Sequence, residues 1–594
     1  MVVPALRAPR APTPRRELGV AALVLAALVL AFDGRLLGRP FASEDFLLLR
    51  ALLADPPWQG LREWWLGPWL GIEVVRFWRP VSTALLAVEA QLFGASPAGY
   101  ELVHHLVHAG NATLVYALLA RLAPAGRRLT AGLHAAPLAG AVLFALHPLH
   151  PNAVAWVASF ATLFGIAFLL GALVAFQAWR EGGRRRSLAL CLALFALALA
   201  SYEAAVVFPL LAAAWEHLTP RPVGDRRRGP AAYLACLALA ALYLLLRAWL
   251  FGGVLGGYAA TAERLAGGGV TGLAADLPLA LHRLVHPAYG SPTAAPALWA
   301  LAAVLLPVPL VARHGLLRRW LLGWLWAAAA LAPFAFTPFV PANGRYAYLA
   351  AAGLAVAASG LAALPGRVPA VAGTAAVVAL AVHWGVLLVP VVTAHQRAGA
   401  LAARVADGLA AVPGDAPAFV SGHPLFVETA GGVPLAQVLR YGLADSVAPP
   451  FRASRRAVYP LPRGLAAASR GALARDLPAA AFPRWDGGRF VPTAPPPAPA
   501  PRLRAEVVGS GGGVPEAVVV RPGSGPAPAR YRLRLLTRGN PAEVTAASGD
   551  GPTRLAFPAA HARSMARLYP GPQHWWVEGL DAAGRVVATS AVRE

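Results

Sequence analysis

Residues 41–46, FASEDF, follow an apolar run from Leu18 to Phe32, and reading the two together decides the fold. A bilayer span takes about 20 apolar residues, and here Arg7, Arg10, Arg15 and Arg16 precede the run. The positive-inside rule keeps that arginine-rich end in the cytoplasm. Glu44 and Asp45 then stand across the membrane at the lipid boundary, where ionisable groups are costly and usually functional. A secretory signal peptide has the same basic-then-apolar plan. An uncleaved anchor fits better, because further spans follow and no A-x-A site ends the run. The same extracytoplasmic stretch continues through a Trp-rich segment, Trp58 to Trp69, and through Arg76-Phe77-Trp78-Arg79-Pro80. It closes on a helical face with Glu101, His104, His105, His108 and Asn111.

Of the 594 residues 57% are hydrophobic and 13% charged, and the mean hydropathy is +0.55. Soluble domains carry about 25% charged residues, so the chain is a polytopic membrane protein of mainly α class. Length and apolar density predict further spans near 101–121, 131–146, 153–178, 187–201, 204–217, 230–251, 293–312, 320–336, 345–364 and 368–390, about eleven in all. Their connections alternate. One set holds Arg121/Arg127/Arg128, Arg184/Arg185/Arg186, Arg226/Arg227/Arg228, Arg313/Arg318/Arg319 and Arg367; the other holds Glu44/Asp45, His147/His150, Glu203, Asp276 and Asn343. This alternation puts the N-terminus in the cytoplasm and the C-terminal region outside a plasma (inner) membrane. It also accounts for the net charge of +24 without a nucleic-acid partner, since short arginine clusters between spans face anionic headgroups. All 52 basic residues are arginine, which with the Ala, Gly and Pro load reflects genomic base composition. Cys191 and Cys236 lie in apolar runs and form neither a disulfide framework nor a zinc spacing.

The membrane domain is expected over 1–391, with its first extracytoplasmic loop at about 33–100. Beyond Pro390 no run is long enough to span. Residues 392–491 read as a small α/β region and 492–501 (PTAPPPAPAP) as a polyproline linker. Short runs at Leu503–Val508, Ala517–Val520, Tyr531–Leu536, Arg554–Phe557, Trp575–Leu580 and Arg585–Thr589 make 502–594 β-sandwich-like.

Several polar groups could carry chemistry. Glu44 or Asp45 can serve as general base towards an acceptor hydroxyl, or one of them can cap the helix starting at Phe46. Arg76, Arg79 and Arg345 lie at outer ends of spans, against the topological trend. Each either grips phosphate oxygens with its planar fork or pairs with Glu73 or a headgroup. His104 and His108, with Glu101 and His105 nearby, read as a hydrogen-bonded stripe between helices in preference to a metal site. His147 and His150, with Pro148 and Pro151, cap a helix hairpin. No phosphate-binding loop, nucleophile elbow, HExxH motif or dinucleotide fingerprint occurs.

At these residues the chain resembles a known family. Arg79-Pro80, then Gly99-Tyr100-Glu101-Leu102-Val103-His104 and His108, is similar to an RP loop entering a G-x-H-L-V-N-x-x-x-H helix. Leu146-His147-Pro148-Leu149-His150-Pro151-Asn152-Ala153-Val154-Ala155-Trp156-Val157 resembles HP-x-H-x-E-A-V-A-W. Ser201-Tyr202-Glu203 resembles S-K-E, and Gly344-Arg345-Tyr346-Ala347-Tyr348-Leu349 resembles E-R-Y-x-Y-L-P. The pattern is that of the GT-C membrane glycosyltransferases, specifically bacterial relatives of the transmembrane TPR-type protein O-mannosyltransferases, and it covers about residues 15–390. The resemblance implies a hexosyltransferase that moves a sugar from a polyprenyl-phosphate donor to an extracytoplasmic protein hydroxyl or cell-envelope glycan. It implies an acidic base at Glu44-Asp45, donor-phosphate binding by Arg79, Arg345 and Arg76, and a substrate or structural polar face of His104, His108, His147, His150, Glu203 and Tyr346. Some relatives use a divalent cation, Mg or Mn, and others none. Asn152 stands where the family often has Glu, Phe160-Ala161-Thr162 where it has R-x-D, and Tyr202 where it has Lys. Glu101 and His104 replace a His and an Asn, and no C-terminal TPR repeats follow. The alternatives are a transporter or flippase of lipid-linked sugars, or a catalytically silent scaffold whose outer domain binds a partner.

Overall fold

The apolar run at Leu18 lies within helix α1, Arg15–Asp33. Glu17, Ala21, Leu25, Val29 and Asp33 are buried at four-residue intervals, while Leu23 and Leu30 stand exposed. One stripe packs on protein and the other faces hydrocarbon. The computed structural model describes residues 14–54, 63–69, 76–122, 129, 132–219, 229–254, 276–287, 307–334, 341–497, 503–511, 514–521, 528–539, 541–548, 551–557, 564, 567–569 and 571–594. Their fold is mainly helical with a β-rich C-terminal region.

After α1 come α2 (Glu44–Ala54), α3 (Pro80–Phe93), α4 (Pro97–Leu122), α5 (Ala135–Ala145), α6 (Phe160–Gly182), α7 (Arg185–Leu199), α8 (Phe208–Leu218), α9 (Gly229–Phe251), α10 (Leu317–Leu331), α11 (Tyr348–Leu361) and α12 (Arg367–Ala410). Four described stretches are long and apolar enough to cross a membrane: Arg15–Leu36, Val157–Gly182, Pro230–Phe251 and Arg367–Ala410. Exposed Leu234, Leu237, Leu242, Leu245 and Trp249 on α9, and Val368, Val371, Val378, Val382 and Val386 on α12, continue the lipid-facing surface. In water such patches would drive association.

The expected spans meet the structure differently from place to place. The run near 131–146 is helical only over the 11 residues of α5. At about 1.5 Å per residue that is roughly half of a ~30 Å hydrocarbon core. Between α7 and α8 the chain breaks at Ser201-Tyr202 and takes a 3₁₀ turn over Glu203–Val207. Most of the expected span at 293–312 lies outside the described residues, as do Trp58, Glu73 and the Arg226–Arg228 cluster.

Helix α12 also does not stop near Pro390. It runs 44 residues with that proline inside, about 66 Å long. The helix continues because Val391, Ala394, Ala398, Ala402, Val405, Ala406 and Leu409 keep a buried stripe at helical spacing. This stripe shares one core with Phe41, Phe46, Leu49 and Leu52 of the first loop and with Val420, Leu439, Leu443 and Val458 of the C-terminal region. That burial offsets the hydrogen bond lost at Pro390.

The C-terminal region begins with β1 (Ala418–Val420), β2 (Phe426–Glu428), β3 (Pro434–Gln437), β4 (Val458–Pro460), α13 (Ala467–Asp476), β5 (Pro483–Trp485) and β6 (Phe490–Pro492). Strands β1 and β4 pair in parallel; β2 with β3 and β5 with β6 form antiparallel ribbons. Then come β7 (Arg504–Gly511), β8 (Val514–Arg521), β9 (Arg530–Leu536), β10 (Ala542–Ala547), β11 (Thr553–Ala556), β12 (His574–Leu580) and β13 (Val586–Thr589). They form two sheets, ordered β10-β9-β12-β13 and β11-β8-β7. Val518, Val520, Leu533, Leu535, Leu555 and Trp575 fill the space between them.

Candidate active site

Strand β3 and the residues after it dock directly on Ser43-Glu44-Asp45. The Ser43 amide donates to the Val438 carbonyl at 2.7 Å. Its hydroxyl bonds Gln437 Oε1 at 3.1 Å and accepts from the Tyr441 amide at 3.4 Å. Ser43 takes φ +53° to do so, a conformation that costs a non-glycine residue of order 1 kcal/mol or more and persists only where its surroundings impose it. Gly442, at φ +71°, lies so close that a Cβ there would stand 2.4 Å from the Ser43 carbonyl oxygen.

The two adjacent carboxylates have different surroundings. Asp45 is fully buried. Its Oδ2 accepts from the Ala42 amide at 3.1 Å and its Oδ1 from the Ala158 amide at 2.9 Å. The guanidinium of Arg39 stands 3.7 Å away. Burial pushes its carboxyl up to about 6, against the pull of Arg39 and of the two amides. Glu44 is half-buried, and no hydrogen bond to its side chain forms among the described residues. Burial raises it to about 7, opposed first by Arg345 and then by Arg440, with Asp45 raising it and Arg79 lowering it. Asp45 is thus a tie between the first loop and Val157–Ser159. Glu44 is a half-buried carboxyl raised by burial and lowered mainly by the charges of Arg345 and Arg440, a setting compatible with a general base.

The three arginines singled out by sequence occupy distinct settings. Arg79 grips Glu203 through both arms of its fork, at 2.9 and 2.6 Å, and lies 3.9 Å over the Phe77 ring. Burial opposes ionisation of Glu203, but this pair overcomes it and holds the carboxyl below its ordinary value. Arg345 bonds Asn152 Oδ1 through its amide and Nη1, both at 3.3 Å, and the Tyr346 hydroxyl at 2.8 Å. Its guanidinium stacks on Trp156 and Tyr346 at 4.8 and 4.4 Å. Asn152 is neutral, so these bonds leave the charge of Arg345 intact. Arg76 is exposed, at φ +45°, and its carbonyl accepts from Arg247 at 3.0 Å.

The histidines gather as a packed interior column. His108 Nδ1 meets the Tyr348 hydroxyl at 2.6 Å and its Nε2 the Ala145 carbonyl at 3.1 Å. Asn111 reaches the same hydroxyl at 3.2 Å. The His150 ring lies 4.4 Å from Tyr348 and 5.1 Å from His147, and His147 bonds the Leu284 carbonyl at 2.8 Å. Burial lowers His147 to about 4 and His150 well below its usual value, so both are neutral. His104 faces Glu89 at 3.4 Å. Tyr346 also stacks on Phe334 at 4.7 Å.

Among the described residues no three His, Cys, Asp or Glu side chains converge as metal ligands. The donor set does not fit a divalent cation at the carboxylate pair. Both Asp45 oxygens are turned to backbone N–H groups and Arg39, and the charges of Arg345 and Arg440 act on Glu44.

Arg39 and Arg440 were missed in the sequence. Arg39 binds Glu101 through its amide and Nε at 3.1 and 3.2 Å and also reaches the Ala155 carbonyl. The rule that flagged Arg76, an arginine on the outer side of a span, applies equally to Arg39. Arg440 carried no such signal, because only the docking of β3 brings it to Glu44.

No family model matches the chain, and no curated protein matches it. Its structure is similar to the oligosaccharyltransferase of Archaeoglobus fulgidus in the apo form, with 14% identity, a TM-score of 0.39 and coverage of 69% of this chain and 63% of that one. It is similar to ArnT from Cupriavidus metallidurans bound to undecaprenyl phosphate, with 13% identity, a TM-score of 0.42 and coverage of 80% and 98%. It is also similar to the archaeal oligosaccharyltransferase in complex with zinc and sulfate, with 12% identity, a TM-score of 0.37 and coverage of 97% and 98%. At these identities and TM-scores the likeness assigns neither an activity nor a residue role to this chain.

Proposed function

We propose that this chain is a GT-C type integral membrane glycosyltransferase of about eleven spans, with its N-terminus cytoplasmic and its C-terminal region outside. It transfers a hexose from a polyprenyl-phosphate-linked donor to an extracytoplasmic hydroxyl of a protein or envelope glycan. The observation that carries this reading is the half-buried Glu44 carboxyl at the start of α2, beside the seam where Ser43 bonds Gln437 and Val438, with the charges of Arg345 and Arg440 acting on it.

In the proposed reaction Glu44 removes the proton of the acceptor hydroxyl. The acceptor oxygen bonds to the sugar C1 as the C1–O bond to phosphate breaks, and the electron pair leaves with the lipid phosphate. Arg345 stabilises the charge growing on that phosphate, an effect typically of several kcal/mol. Asp45 positions Glu44 by anchoring the first turn of α2. Arg79 joins the phosphate site only by sharing its fork with Glu203, and it is otherwise a brace for the RP loop.

The test is Glu44→Gln in purified protein supplied with radiolabelled polyprenyl-phosphate sugars and peptide or glycan acceptors. Transfer should fall by about 10²–10⁴-fold with the melting temperature unchanged. Undiminished transfer refutes the assignment of the base; translocation without transfer in the parent protein favours a flippase.

A further inference from the structure

The C-terminal region holds a cleft of about 540 Å³ that the reaction above does not use. It lies beyond the carboxyl ends of the parallel strands β1 and β4, where the loops Ser421–Leu425 and Leu461–Leu465 diverge. Loops leaving parallel strands at that end are the usual place for a ligand crevice in α/β units. Arg440, Arg463 and Arg470 line it. All three are exposed, and none forms an ion pair with a carboxylate among the described residues. Arg440 lies over the Phe426 and Tyr441 rings at 5.6 and 5.0 Å, and its charge also acts on Glu44.

His423 supplies the complementary group. It lines the same cleft and is only 7% exposed. Its Nδ1 is buried with no hydrogen-bond partner. Burial, aided by Arg463, lowers it to about 4, and its ring makes a backbone hydrogen bond with Leu439. A neutral imidazole that donates one N–H to a carbonyl keeps a lone pair on its other nitrogen, so Nδ1 lacks a donor such as a hydroxyl. A buried polar atom without its partner is costly, and a turn of the His423 ring that brings Nδ1 to a hydroxyl in the cleft recovers that cost.

We infer that this cleft binds an anionic glycan, with Arg463, Arg470 and Arg440 on its carboxylate or phosphate groups and His423 accepting a sugar hydroxyl, and that it leads the acceptor chain to Glu44. A uronic acid or a phosphorylated sugar carries a hydroxyl beside its negative charge, which matches guanidinium forks beside a lone pair. An acidic peptide supplies carboxylates without that neighbouring hydroxyl. The inference rests on the proposed transfer reaction for the word acceptor, but the binding does not depend on it.

The experiment therefore measures binding and transfer separately. Full-length protein in detergent is titrated with oligogalacturonate, with its neutral methyl ester, with a phosphorylated mannan oligosaccharide and with an acidic peptide, each at low and moderate salt. One or both anionic glycans should bind in a salt-dependent way, and the better of the two names the charged group. Arg463→Gln/Arg470→Gln should weaken that binding at least tenfold, His423→Phe should weaken it several-fold, and Glu44→Gln should leave it unchanged. Equal binding of the neutral ester, full affinity in the double arginine variant, or preference for the peptide overturns the inference. The ester comparison uses the unaltered protein, so a variant that folds poorly does not protect the idea. Anionic glycan binding without any transfer would sink the enzymatic reading and leave the site standing.

Discussion

Replacing Arg345 by Gln separates the two tasks the site asks of that side chain. Arg345 is the leading charge that lowers the carboxyl of Glu44, which burial has raised to about 7. A neighbouring unit charge acting on a carboxylate at an effective dielectric of ~20 is worth a few kcal/mol at most. Partial exposure to water reduces this to about 1.4 kcal/mol, one pK unit. The base acts only when ionised, so transfer should rise with pH and level off above about 7 in the parent enzyme. Removing the cation raises the carboxyl further, and the limb moves to alkaline pH by about one unit. The variant should lose about tenfold more activity at pH 6 than at pH 9.5, on top of a pH-independent loss from the phosphate contact. Initial rates of transfer across that range, at saturating donor, read both effects. A uniform drop with an unmoved midpoint would show that Arg345 does not face Glu44, and a midpoint shifted to acid would contradict the sign of the coupling.

Asp45→Asn should act on stability before chemistry. It turns one of the two accepting oxygens into an NH₂ set against a backbone N–H and leaves Arg39 with one carboxylate fewer, a cost of about 2–4 kcal/mol visible as a lowered melting temperature. Glu203→Gln should destabilise by about 1–3 kcal/mol, because the Arg79–Glu203 pair is only 11% and 17% exposed. The carboxyl of Glu203 is held below its ordinary value, so the difference from the parent should be full above the ordinary carboxylate range and be lost progressively as pH falls through the lowered value, as melting curves at several pH values will show. Gly442→Ala should loosen the docking of the C-terminal region, since it combines φ +71° with a 2.4 Å approach to the Ser43 carbonyl. Limited proteolysis should then cut within 430–450 well before the parent protein is cut there.

Membrane class was legible because hydrocarbon imposes a residue-level demand: every lipid-facing position must be apolar, and runs such as Leu18–Phe32 satisfy it visibly. The C-terminal strands were legible where apolar residues alternate, as at Tyr531–Leu536. Strand β10, Ala542–Ala547, was not, since its burial alternates only between partial and none and its Ala, Glu and Thr carry little apolar signal. The continuation of α12 past Pro390 was not legible, because the stripe that sustains it to Ala410 finds its partners in the first loop and beyond residue 420. At the site, local spacing flagged Glu44, Asp45, Arg79 and Arg345 but could not rank the two carboxylates. What separates them is the Ala158 amide on one side and Arg440 on the other, and both come from distant parts of the chain.

The seam between Ser43 and Gln437 joins residues 394 positions apart. During synthesis every helix up to α12 emerges, and could be inserted, before that partner exists. Until β3 arrives, Ser43 lacks the bonds that hold its unusual backbone, and Glu44 lacks the flank that Arg440 and Tyr441 provide. If the proposed reaction holds, a chain that ends before β3 should be inactive towards sugar lipids, because its Glu44 would stand without that flank.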